Sequence, residues 1–407
     1  MTDYLGEAVA RTATNGQGPT AAAGFRAAGV TAGLKASGRP DLALIVNDGP
    51  RHAGAAVFTT NRVVGNPVLW SRQVVSDGTI RAVVLNSGGA NVSTGPEGFQ
   101  DTHATAERVA GGLGIGAGDV VVCSTGLIGE RLPIEKLLAG VDDAISKLHH
   151  DGGRDAAQAI MTTDTVVKVA QVSVNTAEGK FTVGGMAKGA GMLAPALATM
   201  LCVITTDADI AAEALDRTLR AATSVTFDRV DSDGCMSTSD TVVLLASGAA
   251  GVTPAEDAFL DAVRTVCASL ARQLVADAEG ASHDIAVHVE GASDEDAAVA
   301  VARSVTRSNL FKAAIFGNDP NWGRVLAQAG TVPTEVAPFE ADNIDVSING
   351  VMVCRGSRPY EERGKVDMAA ARDVHVTVDL HAGDANATIW TNDLTHAYVE
   401  ENSAYST

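Results

Sequence analysis

Positive charge is in short supply in this 407-residue sequence, where 30 Lys and Arg stand against 49 Asp and Glu for a formal net charge of −19. No cluster of Lys and Arg occurs, which excludes a nucleic-acid partner, because phosphate binding needs grouped cations. Aromatic residues make up only 4%, so the core has to be built from Ala, Val, Leu and Ile, while 46% hydrophobic residues is too apolar for a disordered chain. The five cysteines are odd in number and none are spaced C-x-x-C, which argues against a disulfide framework or a zinc site and for free thiols in a reducing compartment. No stretch is apolar enough to span a bilayer, so no membrane role is expected. The opening MTDYLGEAVARTATNG carries Asp3 and Glu7 in place of an apolar signal core, so a cytoplasmic location is expected.

Several site motifs are also missing. There is no G-x-x-x-x-G-K-[ST], no G-x-S-x-G and no H-E-x-x-H. Asp228, Asp231, Asp233 and Gly234 invite a calcium-loop reading, but Arg229 would stand where an oxygen ligand is needed.

What is present reads as mixed α/β. The apolar runs Leu42–Val46, Ala82–Leu85 and Val120–Cys123 predict buried strands that lead into polar or glycine-bearing loops. Helical spacing is seen over Thr102–Ala110 and Pro133–Leu148, the latter with proline suited to a first turn. Further on, Thr253-Pro254-Ala255-Glu256 predicts a capping box ahead of a stripe of Phe259, Val263, Val266 and Leu270, with Gly280 as the stop. A second helix is expected from Ser293. Half-buried strands are expected at Ile285–Val289, Val374–Leu380 and Ala387–Thr391. Composition marks no linker, and the chemistry points to Gly184–Thr206 as the place to divide the chain.

That segment, GGMAKGAGMLAPALATMLCVITT, is dense in glycine up to Gly191 and turns at Thr199 into an apolar, strand-like run. A threonine opening such a run is ordinarily a strand residue. It has a chemical alternative: with only the small Ala198 before it, its hydroxyl can attack the preceding carbonyl. An N-to-O acyl shift followed by hydrolysis would then free an α-amine at Thr199. That amine can act as base for the threonine's own hydroxyl, which is otherwise a weak nucleophile.

The stretch KGAGMLAPALATML, from Lys188 to Leu201, resembles the cleavage region of the ornithine acetyltransferase family, the bifunctional glutamate N-acetyltransferases. The resemblance runs through the chain, in order. It includes Gly24–Lys35, Ala56–Asn61, Asn86–Gly95, Ser124–Gly129 and Met161–Thr165. It continues in Ser237–Thr241, Glu279-Gly280, Asp319–Arg324 and the Tyr398–Thr407 tail.

The resemblance implies an α/β fold: a layered sandwich of the type shared by self-processing aminopeptidases and ornithine acetyltransferases, with a smaller second α/β domain. It implies self-cleavage between Ala198 and Thr199 into an alpha chain (1-198) and a beta chain (199-407), assembled as an alpha2-beta2 heterotetramer. Thr199 would take acetyl from N2-acetylornithine as an ester and pass it to glutamate, a ping-pong step in arginine biosynthesis. Thr125 and Gly126 match the oxyanion-hole pair. Thr162, Lys188, Thr199, Glu279, Asn402 and Thr407 match substrate-contacting positions, which requires the Asn402–Thr407 tail to be ordered. No metal and no bound cofactor is implied, since moving an acyl group between amines through an ester needs a nucleophile, a base and an oxyanion site. Some members also accept acetyl-CoA as donor.

The chain departs from the family pattern at several places. Ala196 stands where a polar residue is frequent, Gly89 where asparagine is common, and Ser282-His283 where Thr-Lys is usual. Thr165 is followed by Val166-Val167-Lys168, without the proline that commonly precedes the lysine. These bear on rate and substrate preference. Two other readings share the residues. One is a self-processing N-terminal-nucleophile hydrolase on the same fold, which generally exposes serine. The other is an uncleaved, non-catalytic binding protein.

Overall fold

The strands form where β-branched and aliphatic residues run without interruption. The computed structural model describes residues 4–192 and 200–404, which fall into two compact units. The larger holds the described residues up to Asp228 together with Met236–Asp277; the smaller holds Arg229–Cys235 and the described residues from Ala278 onward.

The larger unit contains nine strands: β1 (Phe25–Val30), β2 (Leu42–Asn47), β3 (Ala53–Phe58), β4 (Ala82–Asn86), β5 (Val120–Ser124), β6 (Lys168–Asn175), β7 (Lys180–Lys188), β8 (Leu201–Thr206) and β9 (Thr241–Ala246). They make a four-stranded sheet in the order β1-β2-β4-β5 and a five-stranded sheet in the order β3-β9-β8-β7-β6. Pairing is antiparallel except for β4 with β5 and β8 with β9. One core cluster joins Ala43, Leu85 and Val121 of the first sheet to Met186, Val203 and Val243 of the second, so the sheets pack face to face. The outer face of the first sheet is covered by the helices Gly95–Leu113 and Ile134–Ser146, through Val109, Leu137 and Val141. The outer face of the second lies under the helix Glu256–Ala276, whose Phe259 meets Phe181 of β7 with ring centroids 6.2 Å apart. Helix, sheet, sheet and helix thus follow in sequence, the expected layered sandwich.

This layering explains the unbroken apolar runs. A strand covered on both faces has no solvent side, so β2, β4, β5 and β9 are buried at every position. The predicted stripe of Phe259, Val263, Val266 and Leu270 is likewise buried.

The smaller unit has six strands: β10 (Asp284–Ala292), β11 (Asp345–Ile348), β12 (Val351–Arg355), β13 (Arg358–Pro359), β14 (Asp373–Asp379) and β15 (Ala385–Asn392). Their order is β13-β12-β11-β14-β10-β15, with the helices Glu295–Thr306 and Trp322–Ala329 packed on the sheet through Val301, Val305 and Val325. Here one face alone carries the core: Val374, Val376 and Val378 of β14 are buried and alternate with partly exposed neighbours.

Helix ends differ from the sequence reading. The helix predicted from Thr102 starts at Gly95, with Pro96 in its first turn, because the polar Glu97–Asp101 segment is helical although it lacks an apolar stripe. The capping box at Thr253 does not form. Ala255 is the N-cap, with no side-chain cap, and the helix ends at Ala276, ahead of Gly280. The next helix begins at Glu295, where the Asp294 carboxylate accepts from the Ala297 N–H, so the aspartate and not Ser293 provides the cap. No described helix is long and apolar enough to cross a membrane.

Candidate active site

β4 and β5 run parallel and end in register, with Asn86 paired to Ser124. Loops leaving the carboxyl ends of parallel strands commonly build ligand sites, because adjacent chain segments diverge there and leave a crevice. Here the two loops are pinned together. The Asn86 amide donates to Ser124 Oγ at 2.6 Å, and the Thr125 N–H donates to the Asn86 carbonyl at 3.0 Å. The Thr125 side chain is 2% exposed and its Oγ1 has no hydrogen-bond partner among the described residues. Leaving a buried hydroxyl unpaired costs about 1–3 kcal/mol, so such a group is a candidate for a functional role.

Gly126 follows with φ of +128°, and a Cβ there would stand 2.8 Å from the Gly89 N. Both the conformation and the contact require glycine. Gly89, one of the departures from the family pattern, therefore lies directly against the predicted oxyanion pair. A Cβ at Gly89 would itself meet Leu132 Cδ2 at 3.1 Å.

The second sheet brings charged groups to this end. Lys188 closes β7 opposite Leu201 of β8, and Leu201 pairs with Thr241 of β9. Gly189, Met200 and Asp240 consequently lie just beyond three neighbouring strand ends. Cys123 of β5 shares a core cluster with Leu201 of β8 and Val243 of β9, which places the Thr125 turn toward the same end of the sandwich. Burial pushes the Cys123 thiol up to about 12, so it is an inert core group.

Asp164 ties the predicted substrate residues together. Its carboxylate accepts from the Thr162 N–H at 3.0 Å, the Gly189 N–H at 2.7 Å and Lys168 Nζ at 2.7 Å. Lys168 is itself fully buried and also bonds Asp277. Burial alone would raise the Asp164 carboxyl. The charges of Lys188 and Lys168, with the Lys168 and Gly189 hydrogen bonds, outweigh it and hold the group at about 2. Thr162 and Asp164 also line a cavity of about 670 Å³ with Lys35, Arg39 and Gln158. Burial, opposed by Asp41, lowers the Lys35 ammonium to about 8.

Asp240 is fully buried as well, and its Oδ1 accepts from the Met200 N–H at 2.9 Å. Its Oδ2 has no partner among the described residues. Burial pushes this carboxyl well above the usual range, against the pull of the Met200 N–H, the nearby Ser237 hydroxyl and Lys188. Neither aspartate was assigned a role from sequence, although both stand inside quoted motifs, Met161–Thr165 and Ser237–Thr241. The available signal was a lone carboxylate among hydroxyls; what was missing was its depth.

In the smaller unit Asn402 Nδ2 donates to Glu279 Oε2 at 2.9 Å, so this predicted pair is brought together. Asn402 belongs to the helix His396–Ala404, which gives the first part of the expected ordered tail. A Cβ at Gly280 would stand 2.3 Å from the Tyr398 N, so this glycine serves the close passage of that helix and not the end of an earlier one. The unusual Ser282-His283 pair forms a latch. Both N–H groups donate to Asp393 Oδ1, at 2.9 and 3.0 Å, and His283 Nδ1 lies 2.8 Å from Asp393 Oδ2. The latch fastens the turn after Glu279 to the end of β15.

Ala196, Ala198, Thr199 and Thr407 lie outside the described residues. The larger unit runs through both β7 and β8, so its boundaries differ from a division of the chain at Thr199.

The family model for the ArgJ family matches residues 26–407. The arginine biosynthesis bifunctional protein ArgJ of Streptomyces coelicolor is 65% identical over 387 residues, covering 95% of this chain and 99% of its own. Its counterpart from Streptomyces avermitilis is 62% identical with the same coverage. A crystal structure of the ornithine acetyltransferase of Mycobacterium tuberculosis in complex with ornithine is 60% identical; it covers 44% of this chain and 95% of its own, with a TM-score of 0.42. With one family model spanning nearly the whole sequence and relatives this close over their full length, the chain belongs to the ArgJ family.

Proposed function

We propose that this enzyme of arginine biosynthesis moves acetyl from N2-acetyl-L-ornithine to L-glutamate through an acetyl ester on Thr199. The main structural support is the buried Thr125 hydroxyl, without a partner among the described residues, beside the positive-φ Gly126. Preorganised donors of this kind stabilise the oxyanion of a tetrahedral intermediate, and losing one typically costs roughly 10²–10³ in turnover.

In the maturation step Thr199 Oγ attacks the Ala198 carbonyl carbon, the peptide C–N bond breaks, and water hydrolyses the resulting ester. The freed α-amine of Thr199 then takes the hydroxyl proton as Oγ attacks the acetyl carbonyl of the donor. Thr125 Oγ–H and the Gly126 N–H receive the oxyanion. The donor C–N bond breaks, and ornithine leaves with the proton. The α-amine of glutamate attacks the ester in the second half, restoring the threonine hydroxyl. Thr162 and Lys188 suit the substrate carboxylate, and Glu279 suits an ammonium, steadied by Asn402. Thr407 completes the substrate contacts.

The reaction needs no metal or bound cofactor, and acetyl-CoA is proposed as an alternative donor. The cleaved chains, 1–198 and 199–407, are proposed to pair as an alpha2-beta2 heterotetramer in the cytoplasm.

Denaturing electrophoresis and intact mass of the wild type beside Thr199→Ala test this reading. Two chains, the second starting at Thr199 and absent from the variant, are expected, with one acetyl group added to the second chain by N-acetylornithine. An uncut, unacetylated wild-type chain would remove the transferase assignment.

A further inference from the structure

Cleavage before Thr199 would leave that residue with a single covalent tether, the peptide bond to Met200. Whatever holds that peptide unit sets where the hydroxyl and the α-amine stand. Met200 is 1% exposed and is gripped from both sides. Its N–H donates to Asp240 Oδ1 at 2.9 Å, and its carbonyl accepts from the Thr241 N–H at 3.2 Å. From this geometry we infer that Asp240 is a positioning residue for the Thr199 nucleophile, acting through the Met200 N–H; the inference rests on the transferase reading above.

The Asp240 side chain stands on a rigid base. The Thr59 N–H donates to the Asp240 carbonyl at 3.0 Å, and Thr59 Oγ1 donates to the Ser237 carbonyl at 2.7 Å. The Ser239 N–H donates to Ser237 Oγ, and Thr241 Oγ1 donates to the Ser239 carbonyl, both at 3.1 Å. The hydroxyls of the Ser-Thr-Ser-Asp-Thr run tie the turn ahead of β9 to itself, and Thr59 ties its backbone to the end of β3. A residue clamped by so many bonds transmits position and not flexibility.

The remaining oxygen sharpens the assignment. Asp240 Oδ2 is buried and makes no hydrogen bond within geometric limits among the described residues, although the Ser237 hydroxyl lies near the carboxyl. One oxygen accepts from Met200, and burial pushes the carboxyl well above its usual range. An asparagine can present the same acceptor and a donor in the same shape; an alanine can present neither.

The test compares Asp240→Ala and Asp240→Asn with the wild type as full-length protein. Intact mass follows self-cleavage, and single-turnover acetylation of Thr199 by N-acetylornithine follows the chemistry. Asp240→Ala is expected to lose about 10²-fold in the acetylation rate, the usual effect of misplacing a reacting group by an ångström, with KM changed by no more than about threefold. Asp240→Asn is expected to recover at least about tenfold of that loss. Wild-type acetylation by Asp240→Ala overturns the inference. A folded Asp240→Asn as slow as the alanine variant also overturns it, and decides alone if the alanine variant does not fold. A wild type that takes no acetyl on Thr199 fails a different claim, the nucleophile itself, and the inference falls with it.

Discussion

Two buried aspartates at one end of the five-stranded sheet are pushed in opposite directions by their surroundings. Asp164 sits among Lys168, Lys188 and two backbone N–H groups and is held ionised, at about 2. Asp240 has one backbone N–H and no lysine hydrogen-bonded to it among the described residues, and burial drives it toward the neutral acid. Both are removed from water to nearly the same extent, so burial does not set them apart. The number of charge-assisted hydrogen bonds does. One site thereby gains a fixed negative charge that organises Thr162 and the Lys188–Gly189 corner, and a second carboxyl, pushed the other way, that clamps Met200.

Removing the cation that maintains the difference has the largest expected effect. Lys168→Met leaves Asp164 and Asp277 without their shared ammonium, and should lower unfolding stability in urea by about 3–5 kcal/mol. A loss below 1 kcal/mol would mean that Lys188 alone sustains the charge.

Neutralising Asp164 while keeping its shape comes next. The carboxyl lies below its ordinary value of 3.8, so its stabilisation is present above that pH and is lost as pH falls through about 2. Asp164→Asn should therefore cost about 2 kcal/mol at pH 7 and flatten the acid limb below about pH 4 in urea melts.

The same substitution at the other carboxyl should act with the opposite sign. A raised carboxyl favours folding at low pH, and that advantage shrinks as pH rises above the unfolded value toward the folded one. Asp240→Asn should raise the urea midpoint at pH 7 and leave it unchanged near pH 3. A drop at pH 7 would put Asp240 in the ionised class with Asp164.

The smallest effect belongs to the cavity rim. Lys35 loses its charge as pH rises through about 8, so KM for a carboxylate-bearing substrate should climb by roughly two- to fivefold above that pH. Lys35→Met should remove the climb in steady-state assays.

Much of this was legible without coordinates. Unbroken aliphatic runs announced β2, β4 and β5, because a strand sandwiched between layers leaves no polar face in its sequence. The motifs around Thr125, Thr162 and Lys188 were read by resemblance, and two of those residues converge through Asp164. Lys168 was noted only for the proline missing before it, yet it is the buried partner of the site's ionised carboxylate. Helix caps were misread at Thr253 and Ser293, since several neighbouring side chains can cap and tertiary packing chooses among them.

The order of residues by itself determined the α/β character and, through its motifs, the family whose resemblance implied the layered core, because periodicity and local motifs are properties of the chain. Only the tertiary structure decided which carboxyl is lowered and which is raised, which buried hydroxyl has no partner among the described residues, and why glycine stands at Gly126. Those properties depend on how many donors, cations and backbone atoms from distant segments arrive within a few ångströms of one another.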